Sequence, residues 1–144
     1  MTNAELAVLA WGVGLLLAYG LLHLGGLELI RKLRPDGQAH SPFGLLFTFW
    51  GLALLHLIEI AVAAVLLAYL LSNPDYGTLS DGFGSSAADY LYFAGVSFAT
   101  LGYTQLEAHG AIRLLVMLLS LSGFMLITWS ASFIYTVWGE TFRD

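Results

Sequence analysis

The chain has 144 residues, of which 58% are hydrophobic and only 10% are charged, and its formal net charge at pH 7 is -5. The mean hydropathy of +0.80 is well above that of an ordinary soluble domain. Because the chain contains no cysteine, disulfides, thiolate metal sites and a cysteine nucleophile are excluded. The composition therefore predicts an integral membrane protein.

Three segments are long and apolar enough to cross a bilayer, whose core of about 30 Å needs about 20 residues of helix. They cover roughly residues 5–30, 43–72 and 111–138. The first has no basic leader and no small-residue cleavage signature, so we expect a retained helix rather than a signal peptide. Its glycines indicate a close-packed peripheral helix that holds neighbouring subunits together or docks a separate membrane partner; they are Gly12, Gly14, Gly20, Gly25 and Gly26.

The basic residues predict the orientation of these spans. Arg31, Lys32 and Arg34 lie in the first connection, whereas residues 73–86, between the second and third spans, contain no lysine or arginine. Because cytoplasmic loops are enriched in basic residues, the first connection should be cytoplasmic. The N-terminus and residues 73–86 then face outside and the C-terminus faces the cytoplasm, and a bacterial inner membrane is the most economical location.

The stretch from Ala87 to Ala99 lies between two spans and is too short to cross the bilayer by itself. Ser85 and Ser86, just before it, are residue types that commonly cap the start of a helix. Non-helical backbone at membrane depth is tolerated only where protein buries it or where it lines a water-filled cavity. We therefore predict a re-entrant half-helix over residues 87–99, followed by a loop inside such a cavity.

The loop after this half-helix begins Thr100-Leu101-Gly102-Tyr103-Thr104, and a long apolar segment follows it. This order resembles the pore loop of tetrameric potassium channels, and the resemblance covers roughly residues 50–138. In that family the carbonyl oxygens of a short loop replace the water shell of a dehydrated cation, and four copies make one filter. The resemblance implies a homotetramer with K⁺ or Na⁺ as the permeant ion and no cofactor.

On the same resemblance, Thr100 offers its hydroxyl and carbonyl at the inner ion site, and Leu101, Gly102 and Tyr103 offer carbonyls above it. Thr104 stands where the family has a second glycine, in a backbone conformation that a β-branched residue enters at a cost. We therefore expect the selectivity for potassium over sodium to be weakened.

Four further residues support this pore on the resemblance. Tyr92 and Phe93 are expected to pack behind the filter as a cuff, because amphipathic rings suit a site with one wet side and one apolar side. Gln105 replaces a carboxylate that often braces the filter in relatives. Gly123 lies near the position of a gating hinge glycine, although a glycine in a membrane helix is more often a packing residue.

His56 and Glu59 lie three residues apart in the middle of the second span, so they share one helical face. An ionisable residue at this depth is costly and marks a functional site by default. Three roles are open for the pair. It braces the pore helix through partners such as Ser97 or Tyr92, it acts as a proton-sensitive gate, or it belongs to a metal site.

The metal hypothesis adds two residues of the first span to that pair. His23 and Glu28 are five apart and point to different faces, so they cannot make a site alone. With His56 and Glu59 they could approach a transition-metal site of two histidines and two carboxylates. This would make the chain a membrane metalloprotein or oxidoreductase, the rival from another functional class.

The sequence thus predicts an all-α integral membrane protein with three transmembrane helices, a re-entrant pore helix and a filter loop per subunit, assembled as a homotetramer. Residues 1–42 form a peripheral helix and a cytoplasmic basic loop, and residues 43–144 form the pore domain. The pore domain divides into an outer helix 43–72, an outside loop 73–86, a pore helix 87–99, a filter 100–104 and an inner helix 111–138.

The predicted function is that of the pore-forming subunit of a potassium-channel-like channel for monovalent cations. We expect no enzymatic activity. The expected partners are other copies of the chain and membrane lipid, and nucleic acid is not among them. The alternatives are a non-conducting membrane scaffold and a membrane metal-binding protein, each having kept the channel fold.

Overall fold

The computed structural model describes residues 1–34, 42–80, 83–101 and 106–142, and four helices carry the architecture of these parts. The helices are α1 (Asn3–Leu33), α2 (Pro42–Leu71), α3 (Ala87–Phe98) and α4 (Ile112–Phe142). Three of them are long and apolar enough to cross a membrane, over Asn3–Leu33, Pro42–Leu71 and Ile112–Gly139. The prediction of a helical protein with three candidate spans is therefore confirmed.

Helix α1 begins with a capping box in which the side chains of Thr2 and Glu5 each accept a hydrogen bond from the other residue's backbone amide. Its buried residues recur every three or four positions, which places them on one face of the helix. They are Val8, Gly12, Leu15, Tyr19, His23, Leu27 and Ile30. This face packs against α4 and α2 and closes the core of the bundle.

Two of the five α1 glycines lie at close helix contacts. A Cβ atom at Gly12 would come within 2.6 Å of Leu118 of α4, and one at Gly26 would come within 2.6 Å of Leu55 of α2. The other three, Gly14, Gly20 and Gly25, face open space. The glycines thus serve packing within the subunit at two positions, and the docking of a neighbour on this helix stays a prediction.

Helix α3 lies between α2 and α4 and buries its second half. Phe93, Ala94 and Phe98 are at most 2% exposed and join the main hydrophobic core. That core also contains residues of both neighbouring helices, among them Ala63, Ala64, Leu67, Leu70, Leu115 and Leu119. Close packing of apolar side chains therefore holds the C-terminal end of α3 between the two long helices.

A short β-pairing ties the connection before α3 to the connection after it. Strand β1 (Thr78–Leu79) pairs antiparallel with β2 (Ala108–His109), and the amide of Ser80 donates to the carbonyl of Glu107 at 2.8 Å. The pairing needs Gly77, whose φ of 120° is a conformation that side chains rarely adopt, and where a Cβ would overlap the carbonyl oxygen of His109. This pairing, which we call the clasp, is not predicted by the sequence.

We expect the start of α3 to be insensitive to pH until the solution is strongly acidic. The Ser86 hydroxyl and then the Ser86 amide donate to the Asp89 carboxylate, at 2.6 and 3.0 Å, and both bonds lower the pKa of Asp89. The ionised Asp89 carboxylate forms the cap, so the cap is fully present above the ordinary aspartate pKa of about 3.9. Because the pKa of Asp89 is lowered in the folded protein, the cap is lost only as the pH falls through that lower value. A ¹³C-carboxyl NMR titration should show this, with the Asp89 midpoint returning toward the ordinary value in Ser86→Ala. An unchanged midpoint in the variant would contradict the assignment.

Candidate functional site

Helix α3 ends in a Schellman motif, the arrangement in which two amides beyond a helix turn back onto its last carbonyls. The amide of Thr100 donates to the carbonyl of Ser97, and the amide of Leu101 donates to the carbonyl of Val96, both at 3.1 Å. The residue that makes the reversal must adopt a left-handed conformation, and here it is Thr100 with φ of 54°. The predicted filter therefore starts where the helix reverses.

A threonine at this position is unusual, because the reversing residue of a Schellman motif is usually glycine. A β-branched residue with positive φ is a clear conformational outlier and carries strain. Such strain persists only where the surrounding structure imposes it, and it is typical of functional sites. Thr100 thus adopts, at a conformational cost, a backbone conformation that glycine would adopt without one.

Helix α4 lies directly against this end of α3. The Ser120 hydroxyl donates to the carbonyl of Ser97 at 2.9 Å. Three residues further along, Gly123 is so close to Phe98 that a Cβ atom would overlap the Phe98 carbonyl oxygen and come within 2.6 Å of its carbon. This close approach supports the packing interpretation of Gly123, and its use as a hinge stays a prediction.

The structure places the other predicted pore residues as follows. The side chain of Leu101 is 67% exposed, whereas Gly102, Tyr103, Thr104 and Gln105 lie outside the described residues. The two residues of the predicted cuff have different surroundings, since Phe93 is 2% exposed within the core and Tyr92 is 51% exposed.

A second site lies where α1, α2 and α4 meet, and we call it the polar ring; its members are His23, His56, Glu59 and Ser130. The Nδ1 atoms of His23 and His56 lie 2.8 Å from the two different carboxylate oxygens of Glu59. The Nε2 atoms of the same histidines lie 3.3 and 3.0 Å from the hydroxyl oxygen of Ser130. Four polar side chains from three helices thus form a closed ring of contacts.

The polar ring is enclosed by aromatic side chains. His23 and Glu59 are fully buried, and the side chain of His56 is 20% exposed. The two imidazoles stack with centroids 5.6 Å apart, Trp129 lies against His23, and Phe98 lies against His56. Such surroundings strengthen each polar interaction and raise the cost of any that is left unmade.

The brace hypothesis for His56 and Glu59 named Ser97 or Tyr92 as partners, and the structure shows different ones. The pair bonds to His23 and Ser130, while the carbonyl of Ser97 accepts from Ser120 and Thr100. The sequence does not predict Ser130 as a partner of the pair. A serine in an apolar span stands out in the sequence, but the helix that it contacts depends on how α4 is rotated about its own axis.

The structure brings together three of the four residues in the metal hypothesis. Ligand atoms of His23, His56 and Glu59 all lie within 4.8 Å of one another, while Glu28 is partly exposed and pairs with Arg31 at 3.1 Å. Nitrogen and oxygen ligands of a tetrahedral zinc, with bonds near 2.0–2.1 Å, would lie about 3.3 Å apart. The nitrogen–oxygen distances of 2.8 Å in the polar ring are those of direct hydrogen bonds.

Comparison with known proteins points to one family. A scan against protein-family models matches residues 52–139 to a family described as ion channel, which is more than half of the chain. The match begins in α2 and covers the clasp, α3, the following loop and α4 up to residue 139. Searches of curated proteins and of solved structures give no significant match.

We expect Gly123→Ala to destabilise the protein. The added methyl meets backbone atoms of Phe98 that cannot move aside, so the cost should reach the upper part of the about 1–3 kcal/mol typical of overpacking. Gly139→Ala is the matched control in the same helix, because nothing lies within 4 Å of its added methyl. Thermal unfolding in detergent should show a lower midpoint for the first variant and little change for the second. Equal midpoints for the two variants would contradict the close contact.

Proposed function

Because the chain belongs to the ion channel family and has three helices able to span a membrane, we propose that it is the pore-forming subunit of a potassium-channel-like channel for monovalent cations. The observation that carries the proposal is the extent of the family match. Residues 52–139 include α3 and the loop that follows it as well as two spanning helices. The matched region thus includes most of α2 and α4 and all of α3, the segments that this proposal assigns to the outer helix, the inner helix and the pore helix.

Helix α3 serves as the re-entrant pore helix in this proposal. Its 12 residues span about 18 Å, which is too short for a bilayer core of about 30 Å. Its C-terminal half is buried between α2 and α4, and the clasp joins the two connections that flank it. These contacts support a short helix that is held inside the protein at membrane depth, as non-helical backbone after it requires.

Thr100 begins the ion pathway in this proposal. A glycine would make the same helix reversal without strain, so the presence of a strained threonine here supports a role for its hydroxyl. Thr100 offers this hydroxyl and its carbonyl to a dehydrated cation, and Leu101, Gly102 and Tyr103 offer carbonyls. Thr104, in place of a second glycine, and Gln105, in place of a bracing carboxylate, weaken the preference for potassium over sodium.

One loop supplies a quarter of such a filter, so the working pore is a homotetramer. The exposed face of α4 supports this assembly. Thr128, Ser132 and Thr136 are exposed hydroxyl residues, and each donates to the carbonyl four residues earlier at 2.7, 3.1 and 3.1 Å. Each hydroxyl oxygen can still accept a hydrogen bond, and small polar residues are enriched where membrane helices meet, so this face is suited to line a cavity or to pack against another subunit.

We expect purified protein in liposomes to conduct potassium and sodium, with potassium favoured only modestly because of Thr104. Gly102→Ala should abolish the flux, since a methyl group at this glycine blocks the backbone conformation expected of the loop. Gly14→Ala is the matched control, because its methyl faces open space in α1. The measurement is cation flux into vesicles for the three proteins, with potassium and sodium tested separately.

Two outcomes of this assay would contradict the proposal. Flux that persists unchanged in Gly102→Ala would show a leak that does not pass through the proposed filter. No flux in the wild-type protein over a range of membrane voltages and pH values would favour a non-conducting scaffold with a channel fold.

We expect Thr100→Gly to separate the stability of the protein from its conduction. Glycine relieves the left-handed strain, so the thermal midpoint should rise by the equivalent of about 1 kcal/mol. The inner ion site loses its hydroxyl, so cation flux should fall. Thr100→Ser keeps the hydroxyl and should retain the flux of the wild type. If Thr100→Gly conducts as well as the wild type, the hydroxyl has no part in the ion pathway.

A further inference from the structure

The hydrogen atoms available to the polar ring do not match its contacts. Each of the four contacts joins two electronegative atoms and needs one hydrogen between them. Two neutral imidazoles supply one hydrogen each and the Ser130 hydroxyl supplies one, whereas an ionised Glu59 supplies none. The ring therefore needs four hydrogens, and its members in their ordinary neutral-pH forms supply three.

We propose that the polar ring of His23, His56, Glu59 and Ser130 is a binding site for a single proton, which it holds inside the helix bundle. With this proton every contact has one hydrogen. In one arrangement both Nδ1–H groups donate to Glu59, the Ser130 hydroxyl donates to one Nε2, and the other Nε2–H donates to Ser130. In another, a protonated Glu59 donates to one histidine and all four bonds run in the same direction around the ring.

The charge of the ring supports the same occupancy. Glu59 is fully buried, and the ion pairs described for it are those with His23 and His56. A carboxylate left ionised between two neutral histidines would place a net charge of -1 inside an apolar bundle, which is strongly unfavourable. One added proton makes the ring neutral, whereas a second would leave it positive and give it one hydrogen more than it has contacts.

The groups that face the ring from each neighbouring helix leave this balance unchanged. Helix α1 contributes Tyr19, whose hydroxyl donates to the backbone carbonyl of Glu59 at 2.6 Å and is therefore engaged. Helix α3 contributes Phe98 and α4 contributes Trp129, neither of which titrates. Among the described residues that contact the ring, its own two histidines and Glu59 are thus the groups that exchange the proton.

A substitution by glutamine imitates the proton-loaded ring without a proton. The side-chain amide of Gln at position 59 brings its own N–H donor beside an acceptor oxygen, so two neutral histidines, Ser130 and the amide supply four hydrogens for four contacts. Glu59→Gln should therefore fold with the same contacts and with no bound proton. This makes it the matched control for the wild-type protein.

The test counts protons directly by NMR on the full chain in phosphatidylcholine nanodiscs. The protein carries ¹⁵N-histidine and ¹³C-glutamate, in a background of His40→Gln and His109→Gln so that the ring supplies the only histidine signals. A metal chelator is present, and the pH is about 8, above the ordinary range for a free histidine. The four ring nitrogens and the Glu59 carboxyl should hold three protons in the wild type, and the nitrogens should hold two in Glu59→Gln.

A stability measurement gives a second readout. The wild type should lose thermal stability at alkaline pH as the ring gives up about one proton per chain, and Glu59→Gln should not show this loss. A total of two protons in the wild type would overturn the proposal. In a second sample without chelator, Zn²⁺ that produces metal-bound imidazole signals at micromolar concentration would overturn it in favour of a metal site. The wild-type count remains decisive even if Glu59→Gln does not fold.

The proton site does not depend on conduction, and neither readout measures flux. If the proposed pore is correct, the site also has a consequence for it, since the ring of His56 lies 5.6 Å from Phe98, two residues before Thr100. Loss of the proton would then disturb the support of the filter. That coupling rests on the proposed function, and the two proposals can fail separately.

Discussion

The buried carboxylate of Glu59 is the constraint on which the arrangement of the long helices depends. Apolar side chains in a membrane protein favour contact but do little to fix one helix along the axis of another. A buried carboxylate needs specific donors, because leaving it without partners costs several kcal/mol. Its donors come from α1 and α2, and through the two imidazoles it reaches Ser130 on α4. The polar ring therefore fixes the register of three helices at one level.

Phe98 connects this constraint to the start of the loop. Its ring lies 5.6 Å from His56 and 6.2 Å from Tyr19, and its carbonyl lies against Gly123. The last turn of α3 thus contacts His56 of the polar ring on one side and α4 on the other. The reversal at Thr100 comes two residues after this packed side chain, and we attribute its left-handed conformation to these contacts. The conformation of Thr100 is a consequence of contacts made by earlier residues.

The sequence predicts the parts of this structure that depend on local composition. Three apolar segments and a short capped helix between them follow from length, hydropathy and Ser86. It does not predict the clasp, because strands of two residues carry no periodic pattern and the pairing depends on the backbone freedom of Gly77. It does not predict Ser130 as a member of the polar ring either. On an almost uniformly apolar helix, packing against the neighbouring helices decides which side chains point toward the bundle.

The grouping of His23 with His56 and Glu59 shows what spacing can and cannot establish. The separation of five residues correctly placed His23 and Glu28 on different faces of α1, one buried and one partly exposed. The spacing alone does not show whether His23 or Glu28 is directed toward the rest of the bundle. The buried seam of α1 decides this, since His23 continues the row of Leu15 and Tyr19.

Helix α1 lies outside the matched region, yet the matched region depends on it. The family match begins at residue 52, whereas His23 and Tyr19 supply contacts that Glu59 needs, on its side chain and on its backbone carbonyl. Without α1, Glu59 would keep one of its two histidines and would lose the cover of an apolar helix. Removing one partner of a buried ion pair is costlier than replacing the whole pair by apolar side chains of similar volume. Helix α1 is therefore integral to the packing of the matched region, because it supplies one of the two imidazoles that contact Glu59.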